Sequence, residues 1–160
     1  MDTDLKTQMS PSLALLTLMR LTPDGHEVVL VNENLDEIDY DCDADLVGIT
    51  ITLDVMPRAC RITEEFHQRG VTVVAGGIHV TCCPEDCAPH FDAICVGAAE
   101  RVWARMIEDA SRNELHKVYC DMEQFRGEEI ASPMYEKIDS SRYLYTNVIT
   151  ELNCIAYLRQ

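Results

Sequence analysis

Apolar residues fall along the chain in two rhythms. Short β-branched runs occur at Glu27 to Asn32 (EVVLVN), Asp45 to Thr52 (DLVGITIT), Val71 to Ala75 (VTVVA) and Ala93 to Gly97 (AICVG). Such runs, bounded by glycine and polar residues, predict buried strands. Between them the spacing turns helical. Pro11 to Arg20 predicts a helix capped by Ser10, and Thr22-Pro23-Asp24-Gly25 a turn that ends it. Met56 to Arg69 is amphipathic and closes at Gly70, Pro84 to Ala88 is a short helical stretch, and Glu100 to Ala110 is the last clear helix. Strands alternating with helices predict an α/β fold with a mostly parallel sheet, helices on both faces and βαβ connections. From about Ser111 the pattern loosens, with strand-like stretches at His116 to Cys120 and Tyr143 to Thr150. The expected division is therefore an α/β domain over 1–115 and an irregular, linker-like tail over 116–160, packed on it.

Composition narrows the function more than the fold. The chain has 160 residues, room for one domain with a real core. Its 28 acids against 13 Lys and Arg, a formal charge of -15, argue against nucleic-acid binding, which needs clustered cations. The acids concentrate at Asp36 to Asp45, in a spacing unlike a calcium-binding loop. No apolar run reaches the roughly 18 residues of a membrane span, and MDTDLKTQMS does not read as a secretion signal, so the expected location is cytoplasmic. In that setting the eight cysteines read as reduced thiols or ligands, with Cys60 and Cys95 in the core.

Candidate chemistry gathers at the carboxyl edge of the expected sheet, where α/β folds bind ligands. Three segments reach it: Gly48 to Leu53, including Thr50 and Thr52; Gly76 to Thr81 (GGIHVT); and Val96 to Glu100, including Gly97. Glycine lets a ligand approach the backbone, and threonine hydroxyls donate and accept. His79 reads equally as a ligand-facing residue or as a half-buried side chain bonded to backbone. Cys82, Cys83 and Cys87, with His79 before them, have the residue types of a zinc or iron–sulfur site, but not the spacing of a CxxC knuckle. They read as thiols first and metal ligands second.

Taken in order, GHEVVLVNENLDEID, DADLVGIT, FHQRGV, VVAGGIHVT and AICVGAAERVW resemble the cobalamin-binding domain of cobalamin-dependent radical SAM proteins. The resemblance spans roughly Ser10 to Tyr119. It implies a flavodoxin-like (Rossmann-type) sheet holding cobalamin across its carboxyl edge. The nucleotide tail would lie beside Gly76-Gly77, with Thr50 or Thr52 near it. Leu53, Ile78, His79 and Thr81 would line the crevice, Gly97 and Glu100 the next loop, and His79 would be a candidate cobalt ligand.

Departures from that family carry equal weight. Its CxxxCxxC cluster motif is not matched, since Glu151 to Gln160 holds Cys154 alone. Ala98 replaces an acid, there is no DxHxxG motif, and no hydrophobic strand precedes Pro11. The apolar tail near Tyr143 to Thr150 is expected to fill or flank that gap. The expected function is cobalamin binding by a stand-alone, non-catalytic carrier, sensor or accessory domain that serves a separate methyltransferase or radical SAM enzyme. The alternative is a degenerate domain acting as an interaction or homodimerisation module. A redox-metal enzyme built on the cysteines ranks last.

Overall fold

The computed structural model describes residues 8–123 and 131–145. Four parallel strands form one sheet in the order β1 (Leu46–Thr50), β2 (Thr72–Gly76), β3 (Ala93–Gly97) and β4 (Val118–Asp121). Among the described residues five α-helices accompany them: α1 (Leu13–Leu21), α2 (Met56–His67), α3 (Ile78–Cys82), α4 (Pro84–Cys87) and α5 (Trp103–Ser111).

The sheet divides two cores, and the period of two along each strand decides which side chain enters which. Val73, Ala75 and Ile94 face Ala59, Ile62 and Phe66 of α2, with Val80 and Cys87 from α3 and α4. Val74, Ala93 and Cys95 face Met106 of α5 and Tyr119 of β4. The stripe Ala59, Ile62, Thr63 and Phe66 has the spacing of one buried helix face. Phe66 also packs its ring 5.2 Å from that of Tyr40. Truncating a side chain so buried costs about 3–5 kcal/mol. The strands step in one direction while the connections change face after β3. The β3–α5–β4 crossover is therefore of opposite hand to the two before it, an arrangement rare in parallel sheets.

Three expectations are corrected. Glu27 to Asn32 is not a strand: it runs as irregular chain with Val28 41 %, Val29 75 % and Val31 42 % exposed. Strand propensity is a preference for a pleated, half-buried neighbourhood, and this segment pairs with no strand among the described residues. The first helix begins at Leu13 with Ser12, not Ser10, as its cap; the Ser12 hydroxyl accepts from Leu15 N–H at 3.4 Å. The last helix begins at Trp103, because residues 100–102 form a turn.

The loosened region begins inside the sheet, since β4 pairs with β3 from Ile94 with Val118 to Gly97 with Asp121. Further on, Tyr143 bridges in parallel to Gln8, and Leu144 N–H donates to Gln8 O at 2.9 Å. Arg142 clamps this strip to Asp36 at 2.8 Å and to the Leu35 carbonyl at 3.0 Å. The described part of the tail thus pairs with residues 8–9 and not with β1. Residues 146–150 and 151–160, with the expected end of the tail strand and Cys154, lie outside the described residues. Among the described residues no helix is long and apolar enough to cross a membrane.

Candidate functional site

The carboxyl ends of β1, β2 and β3 meet at one edge, and the loops there are built from backbone upward. Ile51, fully buried, leaves β1 and hooks onto β2: its N–H donates to Gly76 O at 2.8 Å, and its carbonyl accepts from His79 N–H at 3.1 Å. Gly77 crosses that hook at φ +107, where an added Cβ would lie 2.7 Å from Ile51 O and 3.1 Å from Thr50 Oγ1. No side chain fits. Gly97 at φ +85 is constrained in the same way, with its missing Cβ directed at the Asp121 carbonyl. Gly76 differs: a Cβ there would make only ordinary contact with Cys95 Cβ at 3.7 Å. The sequence reading gave these glycines to a ligand, whereas Gly77 and Gly97 are demanded by the chain itself. Of Gly76, Gly77 and Gly97, Gly76 alone is glycine without an internal steric reason.

The expected site residues separate into groups. Leu53 (67 % exposed) and Ile78 (57 % exposed) are apolar side chains held out to solvent from the β1–α2 loop and the start of α3. Thr52 is exposed and its hydroxyl donates to Asp54 Oδ1 at 3.0 Å. Thr50, Gly97 and Glu100 are half-buried. Thr81 spends its hydroxyl within the protein, donating to Gly77 O and accepting from Gly97 N–H, both at 3.0 Å. His79 is half-buried, but its Nδ1 is fully buried and has no hydrogen-bond partner among the described residues. Leaving such an atom unpaired costs about 1–3 kcal/mol.

The cysteines do not assemble. Cys82 is exposed, Cys83 half-buried and Cys87 buried in the α2-side core; among the described residues no three His, Cys, Asp or Glu are placed to hold an ion. Cys60 is half-buried rather than in the core. Cys95 lies behind Gly76, and burial, with the charge of Glu100, pushes its thiol up to about 12. Cys95 is in the core as expected, whereas sequence reasoning missed the backbone hook of Ile51 and the Asp121–Arg101 pair (3.3 Å) at the end of β4. Ile51 acts through its backbone, which no side-chain motif reports. Asp121 stands where periodicity has faded. Two clefts, of about 310 and 790 Å³, lie elsewhere: one beside Val28 to Asn32 and Tyr143, the other at the amino edge around Asp41 to Leu46 and Arg69 to Thr72.

A parallel sheet with glycine turns, exposed apolar side chains and an orphaned imidazole nitrogen at its carboxyl edge defines a ligand-binding α/β domain. The family model of the B12 binding domain matches residues 8–107, and the chain belongs to that family. Its sheet is that of the flavodoxin-like B12-binding fold, and cobalamin is the cofactor that membership assigns. The chain is 39 % identical over 135 residues to bacteriochlorophyllide d C-8(2)-methyltransferase of Chlorobaculum tepidum, covering 84 % of this chain and 30 % of that protein. It is 27 % identical over 113 residues to bacteriochlorophyllide d C-12(1)-methyltransferase of the same organism, covering 69 % of this chain and 25 % of that protein. The chain thus spans less than a third of the length of either relative. A solved N-terminal domain of a hypothetical protein of Thermotoga maritima aligns at TM-score 0.45 and 20 % identity, over 76 % of this chain and 94 % of that one.

Proposed function

We propose that this domain holds cobalamin against the carboxyl edge of β1–β3 and offers it to a separate catalytic unit that transfers a methyl group. Cobalamin supplies a cobalt centre able to carry a one-carbon group. The chain's own residues supply the seat. Gly76 allows close approach to the backbone, and exposed Leu53 and Ile78 give up apolar surface to the corrin, worth about 25 cal/mol per Å² covered. The observation that carries the reading is the buried, unpartnered Nδ1 of His79 beside this ledge. That atom is closed off from solvent, so a corrin amide would partner it once the half-buried imidazole turns toward the ledge. An open edge covers one side of a flat ligand and leaves the other to the catalytic unit, which suits a carrier or accessory role. The two similar methyltransferases, named for bacteriochlorophyllide d, support a tetrapyrrole as the final methyl acceptor and a methyltransferase as the partner.

The test is titration of the purified chain with hydroxocobalamin and with methylcobalamin, followed by absorbance and gel filtration. A red protein that co-elutes with the corrin is expected, and His79→Ala should weaken binding by about tenfold, the worth of one hydrogen bond to a buried group. A colourless protein that excludes both corrins would sink the reading. One observation favours an interaction module instead: Val28, Val29 and Val31 are exposed, and the outer edge of β1 has no partner among the described residues. On that reading a second copy of the chain supplies the missing strand, and gel filtration at micromolar concentration would show a dimer without cofactor.

A further inference from the structure

The carboxyl ends of the four strands are tied to one another one neighbour at a time. β1 and β2 are joined by backbone, through Ile51 N–H to Gly76 O at 2.8 Å and His79 N–H to Ile51 O at 3.1 Å. β3 and β4 are also joined by backbone, through Ala98 N–H to Asp121 O at 3.0 Å. β2 and β3 are different. Their register runs from Val74 with Ala93 to Ala75 with Ile94 and stops, so Val96 and Gly97 continue beside β4 alone. A side chain ties across that split. Thr81, on α3, donates its single hydroxyl proton to Gly77 O and receives the N–H of Gly97, each at 3.0 Å.

Both ends of this tie are residues that only glycine can occupy, Gly77 at φ +107 and Gly97 at φ +85. We infer that Thr81 is a positioning residue: its hydroxyl couples the Gly76–His79 turn to the Gly97–Glu100 turn, so that the two loops meet a ligand as one unit. Its proton and a lone pair are committed internally, so the hydroxyl acts by holding the loops and not by contacting the ligand. Valine keeps the shape of threonine and loses both bonds, leaving Gly97 N–H and one acceptor site of Gly77 O unpaired. Serine keeps both. For its ligand this inference rests on the cobalamin reading above; for its geometry it does not.

Two measurements on the wild-type chain, Thr81→Val and Thr81→Ser separate the two. Hydrogen exchange by NMR, without ligand, follows the Gly97 amide. It is expected to be protected in the wild type and in Thr81→Ser, and to exchange about tenfold faster in Thr81→Val. A Gly97 amide that exchanges freely in the wild type, or is unchanged in Thr81→Val, overturns the tie, and the wild-type result stands even if the valine variant does not fold. Hydroxocobalamin titration is expected to give about tenfold weaker binding for Thr81→Val and recovery to near wild type for Thr81→Ser. Equal affinity in all three, or no rescue by serine, overturns the positioning role. A wild-type chain that binds no corrin overturns the cobalamin reading and the ligand half of this inference, while the exchange result still judges the tie.

Discussion

Gly76 and Gly77 are adjacent and of one type, yet the fold asks different things of them. Gly77 sits at φ +107 and ψ -178 with Ile51 backbone 2.7 Å from where a Cβ would stand. That region of backbone space is open to glycine almost alone, so Gly77→Ala combines strain with a clash that neighbouring backbone cannot relieve. The expected loss is about 2–4 kcal/mol, read as a lower urea midpoint at unchanged slope. Gly76→Ala is expected to leave the midpoint within about 1 kcal/mol, since its Cβ meets only Cys95 Cβ at 3.7 Å. Equal losses for the two variants would refute this division. The sequence showed that Gly-Gly ends a strand at the functional edge. It could not show which glycine serves the chain and which is free for a ligand, because that depends on where Ile51 passes.

Elements were legible wherever local pattern and tertiary setting agreed. The strand expected at Ala93 to Gly97 is β3 as found, and the amphipathic run from Met56 contains α2, because a helix stripe and a buried strand each carry their burial in their spacing. Glu27 to Asn32 has the same apolar character and is no strand, since strands are completed by neighbours that spacing does not report. The hydroxyl tie of Thr81 and the hook of Ile51 were hidden for the same reason: both join segments distant in sequence. Another such join links α1 and α5, where Trp103 Nε1–H donates to Thr22 Oγ1 at 2.9 Å, just past the end of α1. Thr22→Val removes that acceptor and is expected to cost about 1 kcal/mol. Trp103 is the chain's one tryptophan, so its emission reports the contact directly. A red shift with a lowered urea midpoint is expected, and an unchanged spectrum and midpoint would show that the indole finds water equally well.

At the scale of the molecule, protection from exchange should follow the sheet's neighbours. Among the described residues β2 and β3 are flanked on both sides, β1 and β4 on one side, and Val28 to Asn32 belongs to no ladder. Cooperative opening of the core is needed to release the amides of Val73 to Ala75 and of Ile94 and Cys95, so these should exchange slowest. Amides of Val28 to Val31 should exchange at rates near those of an unstructured chain. That contrast has a consequence for function. If Val28 to Val31 are protected only as protein concentration rises, a second copy is completing the sheet and the interaction reading gains ground. If they exchange freely at every concentration while the Gly76–Thr81 amides slow on addition of hydroxocobalamin, the carboxyl edge is where the ligand acts, and the incomplete side of the sheet is not needed to bind it.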